Sequence, residues 1–527
     1  MTSLFGCSAK SEDKTTEERT TDVTIEEIVS DDTSASDEIL DSDDNSSSTN
    51  STSTGSYYKT NHLTKDDIDI EEAYEDNTDG THAIEVDGET STYSNIAVTK
   101  TGESDGDESD FYGANSAIFA TDGATLTISN SYIETNGTHA NAVFSYGEGT
   151  TVNISDSVIE TSGNCSGGLM TTGGGTMNAA NLTINTSGNS SAAIRSDRGG
   201  GTVNVDSGYY KTTGTGSPVI YSTADITVSN SYLESTASQG VVVEGKNSVT
   251  LNDCELVADN NTKNSDKSST YQAVMIYQSM SGDADSGTSS FTMNGGTLTN
   301  ANGDIFFVNN TACTIDLINA TIINNDSEGV FLRAEAAGWG NDGSNGGKVI
   351  MTASNQEING DMIVDEVSVL NLYLTEGSTF TGAINNDGTE GDVYVELTNG
   401  STWTLTSDSY ITGLTSDVDS IDLNGHTLYV GGEVYIAGST SSGDAIEITG
   451  DSSSQSQPDG DMTSGGAPDG EASSGDGSDM GTPPDMPSDS GNDMGTPPEK
   501  PSDDNGGTPP EKPSNENGGT PPEKPGN

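Results

Sequence analysis

The feature that most constrains the fold of this chain is a nine-residue phrase that returns along it. The phrase reads TISNSYIET at 127–135, NISDSVIET at 153–161 and TVSNSYLES at 227–235. Weaker copies stand in the same frame at 179–187, 205–213, 251–259, 293–301 and 317–325. A fixed period of roughly 20–50 residues is typical of solenoids, in which each repeat packs against its two neighbours. The phrase therefore predicts a stack of similar units.

One position near the centre of each phrase predicts a sharp bend. The eight residues at this position are Asn130, Asp156, Asn181, Ser207, Asn230, Asp253, Gly295 and Asn319. Nearly all are Asn, Asp or Gly, the residues that most readily adopt a left-handed backbone. We therefore expect each repeat to contain a tight corner between two strands.

Apolar residues recur in step with these corners. Successive clusters, about one period apart, are centred on Ile118, Val143, Leu169, Ile194, Val219 and Val242. Each period also contains alternating pairs such as Leu126/Ile128 and Val152/Ile154, and period-two alternation marks strands with one buried face. The fold class predicted is all-β: a right-handed parallel β-helix with three short strands per coil, its coils about 4.8 Å apart.

Composition divides the chain into three regions. Residues 1–56 are rich in Ser, Thr, Asp and Glu, and 14 of the 15 prolines lie after residue 450, where GTPPEKP recurs. Both regions hold too few apolar residues to offset the entropy cost of ordering, so we expect disordered tails at 1–56 and 451–527. The β-helix is predicted over 57–450.

The charge of the chain excludes some partners. Lys and Arg number 17 against 84 Asp and Glu, which gives a formal net charge of −67. Such a chain repels nucleic acid and anionic membranes. No apolar stretch is long enough to span a bilayer.

The repeated phrase resembles a known family. Ser, then Asn or Asp, then Ser, followed by two apolar residues, Glu and Thr or Ser, is similar to the coils of the pectate-lyase-like β-helix superfamily. The resemblance covers roughly 80–450 and is greatest to adhesin-type and pertactin-like surface proteins and to bacterial surface lipoproteins with Gly/Pro-rich tails. It implies the fold but leaves activity open, since the superfamily contains lyases, hydrolases, esterases and non-catalytic adhesins.

The N-terminal LFGC at 4–7 is similar to a lipobox, with Leu4, Gly6 and Cys7 in the required positions. The charged and apolar parts of a signal peptide are absent from the six residues before Cys7. Two interpretations stay open: the true start lies upstream and Cys7 is the lipid attachment site, or Cys7 is an ordinary thiol. The first implies an extracellular, cell-surface protein that meets the membrane only through this anchor.

Three predicted insertions interrupt the repeat, at 259–270, 279–290 and 336–348, and are expected to loop out of the stack. The third carries Trp339 among glycines, and we consider two alternatives for this side chain. It is an exposed stacking platform for a sugar, with Asn341, Asp342 and Asn345 bonding the hydroxyls, or it folds back as a lid.

Other aromatic residues fall on predicted strands. Trp403 shares a face with Leu405, so we expect it in the core. An aromatic stack is predicted after the corner from Tyr132, Tyr209, Tyr210 and Tyr232, whose outward members could contact glycans.

Residues with catalytic or metal-binding chemistry are sparse. Cys165, Cys254 and Cys313 lack metal or disulfide spacing, so we expect them to pack as small apolar residues. The four histidines are isolated in the sequence, which argues against a metal or catalytic cluster. RSDR at 195–198 has two interpretations, a site or a solvated turn with a weak ion pair.

Four acidic loops offer oxygens at the close spacing that Ca²⁺ prefers, although none matches a known calcium motif. They lie at 105–110, 282–287, 340–345 and 385–392. A structural Ca²⁺ is therefore a candidate, and no other cofactor is expected.

The sequence as a whole favours a non-catalytic cell-surface β-helix, an adhesin or carbohydrate-binding lipoprotein whose partner is a glycan or host-surface ligand. The alternative is a polysaccharide-degrading β-helix enzyme, a lyase or a glycoside hydrolase. A structural spacer is the third hypothesis.

Overall fold

A computed structural model describes residues 54–263, 267–268, 270–389 and 391–448. Within them the predicted all-β fold is confirmed, since nearly every strand pairs in parallel with the equivalent strand of the next coil. The tails predicted at 1–56 and 451–527 lie outside the described residues, except for 54–56.

One face of the β-helix, the first sheet, has eleven parallel strands in an unbroken order. They are Ile84–Asp87, Ile118–Thr121, Val143–Tyr146, Leu169–Thr172, Ile194–Ser196, Ile220–Ser222, Val241–Glu244, Gln272–Tyr277, Asp304–Asn309, Leu332–Ala334 and Met362–Val364.

The second sheet has 21 strands and contains the corners. Its strands are Glu72–Asp76, Thr90–Ser94, Ile96–Lys100, Thr125–Ser129, Tyr132–Thr135, Thr151–Ser155, Val158–Thr161, Gly175–Thr186, Gly201–Thr212, Asp225–Ser235, Ser248–Asn252, Glu255–Ala258, Thr288–Asn294, Thr297–Asn300, Ala312–Ile318, Thr321–Asn324, Lys348–Ser354, Val369–Thr375, Asp392–Leu397, Gly413–Ser416 and Ser441–Ser442.

The corner prediction is confirmed at all eight positions, where φ lies between 48° and 69°. Asn95 and Asn355 adopt the same backbone in coils on either side of the recognised repeat. The turn is made by one residue in left-handed conformation and not by a loop. A single strand such as Gly175–Thr186 therefore continues through the corner. The chain therefore turns from one face to the next without leaving the hydrogen-bonded stack.

Two smaller sheets complete the C-terminal coils. The four-stranded sheet holds Glu357–Asn359, Thr379–Thr381, Thr402–Thr404 and Ile421–Asp422, and the three-stranded sheet holds Ser409–Ile411, Leu428–Val430 and Glu433–Val434. The last strands of the stack pair antiparallel, Glu433–Val434 with Leu428–Val430 and Ser441–Ser442 with Gly413–Ser416. These antiparallel pairs cover the edge that the final coil would otherwise expose.

The described helices are Thr54–Tyr58, Asp107–Tyr112 and the 3₁₀ turn Lys65–Asp67. None of them has the length and apolar character needed to cross a lipid bilayer.

The core is built of inward rows of apolar side chains that stack from coil to coil. In the first sheet one such row runs through Ile118, Val143, Leu169, Ile194, Ile220, Val241 and Val274. Two predicted cluster centres, Val219 and Val242, are each one residue away from the members of this row, Ile220 and Val241. Cys254 and Cys313 are free and buried in the core, as expected.

The insertions fold back onto the first sheet, so the expectation that they loop out is wrong. Four segments lie against its outer side: 101–117, which contains the helix Asp107–Tyr112, then 259–271 as far as it is described, 278–287 and 335–347. A fifth segment, 54–70, lies across the outer side of the second sheet. The outer side of this β-helix is therefore partly covered.

Trp403 occupies the core, as predicted. It is fully buried, stacks on Phe380 with ring centroids 5.4 Å apart and donates its indole N–H to the Gly382 carbonyl at 2.9 Å. We expect Trp403→Ala to lower the free energy of unfolding by about 3–5 kcal/mol, through lost apolar contact and a cavity. Chemical denaturation of the full chain measures this. Trp403→Phe, which keeps the ring stack, should cost clearly less, and equal losses for the two variants would contradict this account.

Candidate binding surfaces of the β-helix

The 335–347 segment is a lid over the first sheet. Trp339 is 1% exposed, and its ring meets Tyr277 edge-on with centroids 5.2 Å apart. It packs in a cluster with Met275 and Phe307, both on the outer side of the sheet. The interpretation of Trp339 as an exposed stacking platform is wrong, and the lid alternative is correct.

The other residues predicted around Trp339 separate into two kinds. Asn345 is buried, and its amide nitrogen donates to the carbonyls of Ala337 and Trp339 at 2.7 and 2.8 Å. Asn345 therefore holds the lid closed. Asn341 and Asp342 are exposed at the tip of the lid, and their part in ligand binding stays a prediction.

The RSDR segment is buried, so the solvated-turn interpretation is wrong. Arg195 and Asp197 are 1% and 2% exposed, and the guanidinium Nη2 lies 2.7 Å from the carboxylate. Arg198 is the partly exposed member. Its guanidinium bonds Asp107 and Asp283, each at 2.9 Å, and lies 3.7 Å from the centre of the Phe111 ring. Arg198 thereby joins two of the covering segments.

Glu244 belongs to the same buried group. We call this group the roofed cluster, because the covering segments form a roof over it. Its members are Arg195, Asp197, Tyr221, Glu244, Tyr277 and Asp283. The Glu244 side chain is completely buried and accepts hydrogen bonds from the hydroxyls of Tyr221 and Tyr277 at 2.5 and 2.9 Å. The backbone N–H of Ser279 donates to its other oxygen at 3.3 Å. The Glu244 carboxylate thus accepts hydrogen bonds both from the sheet and from a covering segment.

Burial sets the protonation of the roofed cluster. It raises the pKa of Asp197 to about 7, because loss of water outweighs the neighbouring Arg195. Burial likewise raises the pKa of Glu244, against the hydrogen bonds that lower it. Carboxylates with such shifts are often catalytic, yet here both are sealed from solvent by the covering segments. Glu244 attaches a covering segment to the sheet through Ser279, and Asp197 pairs with Arg195 beneath the covering segments.

A second buried group brings together Asp110, His139 and Cys165, whose candidate ligand atoms lie within 4.8 Å of one another. His139 Nδ1 is 2.6 Å from Asp110 Oδ1. The expectation of isolated histidines is wrong for His139. The sequence contained a signal for this proximity. His139 and Cys165 are 26 residues apart, which is one coil period and places them side by side in adjacent coils. Cys165 is buried, as expected, but it lies beside two polar side chains rather than among apolar residues alone.

Several carboxylates of the candidate calcium loops contact other side chains of the protein. Asp110 contacts His139, Asp107 and Asp283 bond Arg198, and Asp285 pairs with Lys246 at 2.7 Å. The loops at 105–110 and 282–287 therefore serve the covering segments. Calcium binding at 340–345 and 385–392 stays a prediction.

The outer side of the second sheet carries an open depression of about 380 Å³ just before the corner, the amide groove. Its outward lining residues are Thr127, Asn153, Ser155, Asn178, Ala180, Asn204, Asp206, Thr227 and Ser229. Asn204 donates its amide N–H to Asn178 at 3.0 Å, and Asn178 donates to Asn153 at 3.0 Å. Stacking of equivalent positions thus produces a ladder of amides that faces solvent.

The predicted aromatic stack is confirmed in part. Tyr209 and Tyr232 stack with centroids 5.3 Å apart and parallel planes, and Tyr132 lies in the same outward row three coils away from Tyr209. Tyr210 instead points inward and is buried in the core. We call Tyr132, Tyr209 and Tyr232 the tyrosine row, and the segment 54–70 covers it.

No protein-family model matches the chain, and no curated protein matches it.

The raised pKa values make stability depend on pH with a definite sign. Asp197 binds its proton more tightly in the folded state than in the unfolded chain, where its pKa is near 4, so folding is favoured at low pH. That contribution is lost as the pH rises through about 7, and Glu244 acts in the same direction. We expect the free energy of unfolding to fall between pH 5 and 7, by at most about 1.4 kcal/mol per pH unit for each group.

Urea unfolding of the full chain across this pH range measures the slope. Asp197→Asn and, separately, Glu244→Gln should flatten it, and Asp342→Asn on the exposed lid controls for the loss of one negative charge. A slope that both buried variants leave unchanged would contradict the assignment.

Proposed function

We propose that this protein is a non-catalytic β-helix that binds carbohydrate at the cell surface. The observation that carries the proposal is the amide groove, an open depression of about 380 Å³ lined by a ladder of Asn side chains with Thr and Ser on its borders. Amides and hydroxyls are the groups that recognise sugar hydroxyls, because both can donate and accept.

The ladder leaves bonding capacity for a ligand. An Asn amide has two N–H donors and an oxygen with two acceptor sites. Asn178 uses one donor toward Asn153 and one acceptor site toward Asn204. Asn178, the central amide, therefore keeps a donor and an acceptor that can bond a hydroxyl lying in the groove.

The repeat of the groove favours a linear polymer. Equivalent side chains recur at each coil, about 4.8 Å apart along the stack, so a chain lying parallel to the stack meets the same group at regular intervals. Ala180 breaks one outward row with a methyl group between Ser155 and Asp206, which leaves space for a sugar ring. The net charge of −67 disfavours acidic polymers, so the proposed ligand is a neutral polysaccharide.

The resemblance to adhesins and surface lipoproteins extends this proposal to location. Cys7, the proposed lipid attachment site, lies outside the described residues. With an anchor there, the protein would be extracellular and held on the membrane by acyl chains, and it would present the groove to glycans of the surroundings.

A polysaccharide-degrading enzyme is the second candidate, and the buried carboxylates of Asp197 and Glu244 with their raised pKa values favour it. Catalysis by these groups requires the roof to open, since both side chains are buried. Release of reducing ends or of unsaturated products from a bound polysaccharide distinguishes this candidate from simple binding.

Replacing Asn178 tests the groove. Asn178→Leu keeps the approximate size of the side chain but removes the amide at the centre of the ladder. We expect it to weaken binding of neutral polysaccharide at least tenfold, the size of one or two lost hydrogen bonds. Affinity electrophoresis of the full chain in gels that contain β-glucan, xylan or mannan measures this, with polygalacturonate as the acidic comparison.

Asn294→Leu is the matched control, because Asn294 makes the same ladder bond, to Asn252 at 2.9 Å, but lies outside the groove. It should bind like the wild type. Equal binding by the Asn178 and Asn294 variants, or preferential binding of polygalacturonate, would refute the groove as the carbohydrate site.

The anchor has its own test. With a secretory leader joined upstream, we expect Cys7 to be acylated and the protein to partition into the detergent phase of a Triton X-114 extract. Cys7→Ser should move it to the medium, and mass spectrometry of the N-terminal peptide reports the acyl group directly. A wild-type protein that stays in the aqueous phase would show that the lipobox interpretation is wrong.

A further inference from the structure

The tyrosine row is covered by a segment of this same chain, residues 54–70, which we call the strap. The strap starts beside Asp253, where the Gly55 N–H donates to the Asp253 carbonyl at 3.0 Å, and runs toward the first coils. Leu63 and Ile68 pack on Tyr132 and Val158. The strap thus follows the outer row of the second sheet without adding a strand to it.

Each tyrosine of the row has a nitrogen-bearing side chain of the strap on its ring. Lys59 Nζ lies 5.1 Å from the centre of Tyr232, and Lys65 Nζ lies 3.8 Å from the centre of Tyr132. Between them the His62 ring stacks on Tyr209 with centroids 4.1 Å apart. The three residues of the strap are spaced three positions apart and contact the tyrosines in chain order along the row.

Carboxylates border the row and complement these side chains. Lys59 lies 3.4 Å from Glu255, and Lys65 lies 3.8 Å from Glu134. Tyr132 donates its hydroxyl to Glu160 at 2.6 Å. The surface under the strap therefore combines ring faces with negative charge, the two features that attract a cationic side chain.

The strap is held in a way that allows release. Both lysine side chains are 54% exposed, and ion pairs and cation–π contacts at exposed positions contribute little. Its buried anchors are Gly55 and Ile68. The coils beneath keep their own hydrogen-bonded stack and core, so they do not depend on the strap for their pairing.

We propose that the tyrosine row is an interaction surface for a basic peptide segment of a partner protein, and that the strap is its built-in competitor. The peptide chemistry is set by what the strap shows: Lys or His at every third position, with Leu directly after the His. The net charge of −67 further favours encounter with a basic partner.

A tethered competitor makes the test quantitative. A segment joined to the same chain acts at an effective concentration of roughly millimolar, so a free peptide of equal affinity binds the wild type only weakly. Releasing the strap removes that competition. Gly55→Val does so without changing charge, because a Cβ at this position would meet the backbone of Ser231 and Glu255.

The experiment measures fluorescence anisotropy of a labelled peptide with the sequence of residues 54–65, TGSYYKTNHLTK, which has two Lys and no Asp or Glu, on the full chain. We expect Gly55→Val to bind it at least tenfold more tightly than the wild type. Ile68→Ser in the protein removes the other buried anchor and provides a second, independent release of the strap. Tyr209→Ala added to Gly55→Val should abolish the gain, and circular dichroism confirms that each variant keeps its β-rich fold.

The comparison peptide has Ala at the positions of Lys59, His62 and Lys65 and should bind at least tenfold more weakly. The proposal is overturned if this peptide binds as well as the parent, or if neither release variant gains affinity over the wild type. It is also overturned if the released row retains neutral oligosaccharides and not the basic peptide, which would make it a second carbohydrate surface.

Discussion

A single recurring backbone constraint organises this molecule: a residue in left-handed conformation at the same corner of each repeat. Asn130, Asp156 and Asn181 turn the chain within one hydrogen-bonded stack, with φ between 48° and 51°. Because the corner recurs once per coil, each side chain in the regular coils lies beside the equivalent side chain about 25 positions away. The inward apolar rows, the amide ladder and the tyrosine row are all consequences of that register.

The outer sides of the first and second sheets differ in the side chains that this register stacks. On the second sheet, stacked amides and hydroxyls face solvent before the corner and provide a repetitive surface suited to a repetitive ligand. The first sheet carries side chains such as Met275 and Phe307 on its outer side, and the chain covers them with inserted segments. Arg198 connects two of these segments above the ion pair of Arg195 and Asp197. On the second sheet the amide groove is open while the strap covers the tyrosine row, and on the first sheet the inserted segments cover the outer apolar side chains.

The fold was predictable from the sequence because its causes are local. Corner residues have intrinsic backbone preferences, and alternating Leu126 and Ile128 mark a strand with one buried face. The fate of Trp339 depended on where its segment lies, which no local pattern encodes, and the same holds for the burial of Arg195 and Asp197. The meeting of His139 and Cys165 was encoded in their one-coil spacing. Of the candidate surfaces, the sequence identified members of the tyrosine row but neither the strap nor the amide groove.

The course of the strap has a mechanical consequence. Thr54, the first described residue, lies beside the coil of Asp253, near the middle of the stack rather than at either end. A pull applied on the N-terminal side of Thr54 would therefore load the contacts of the strap before it reached the hydrogen bonds of the first coil. Release of the strap would move the point of loading to the first coil.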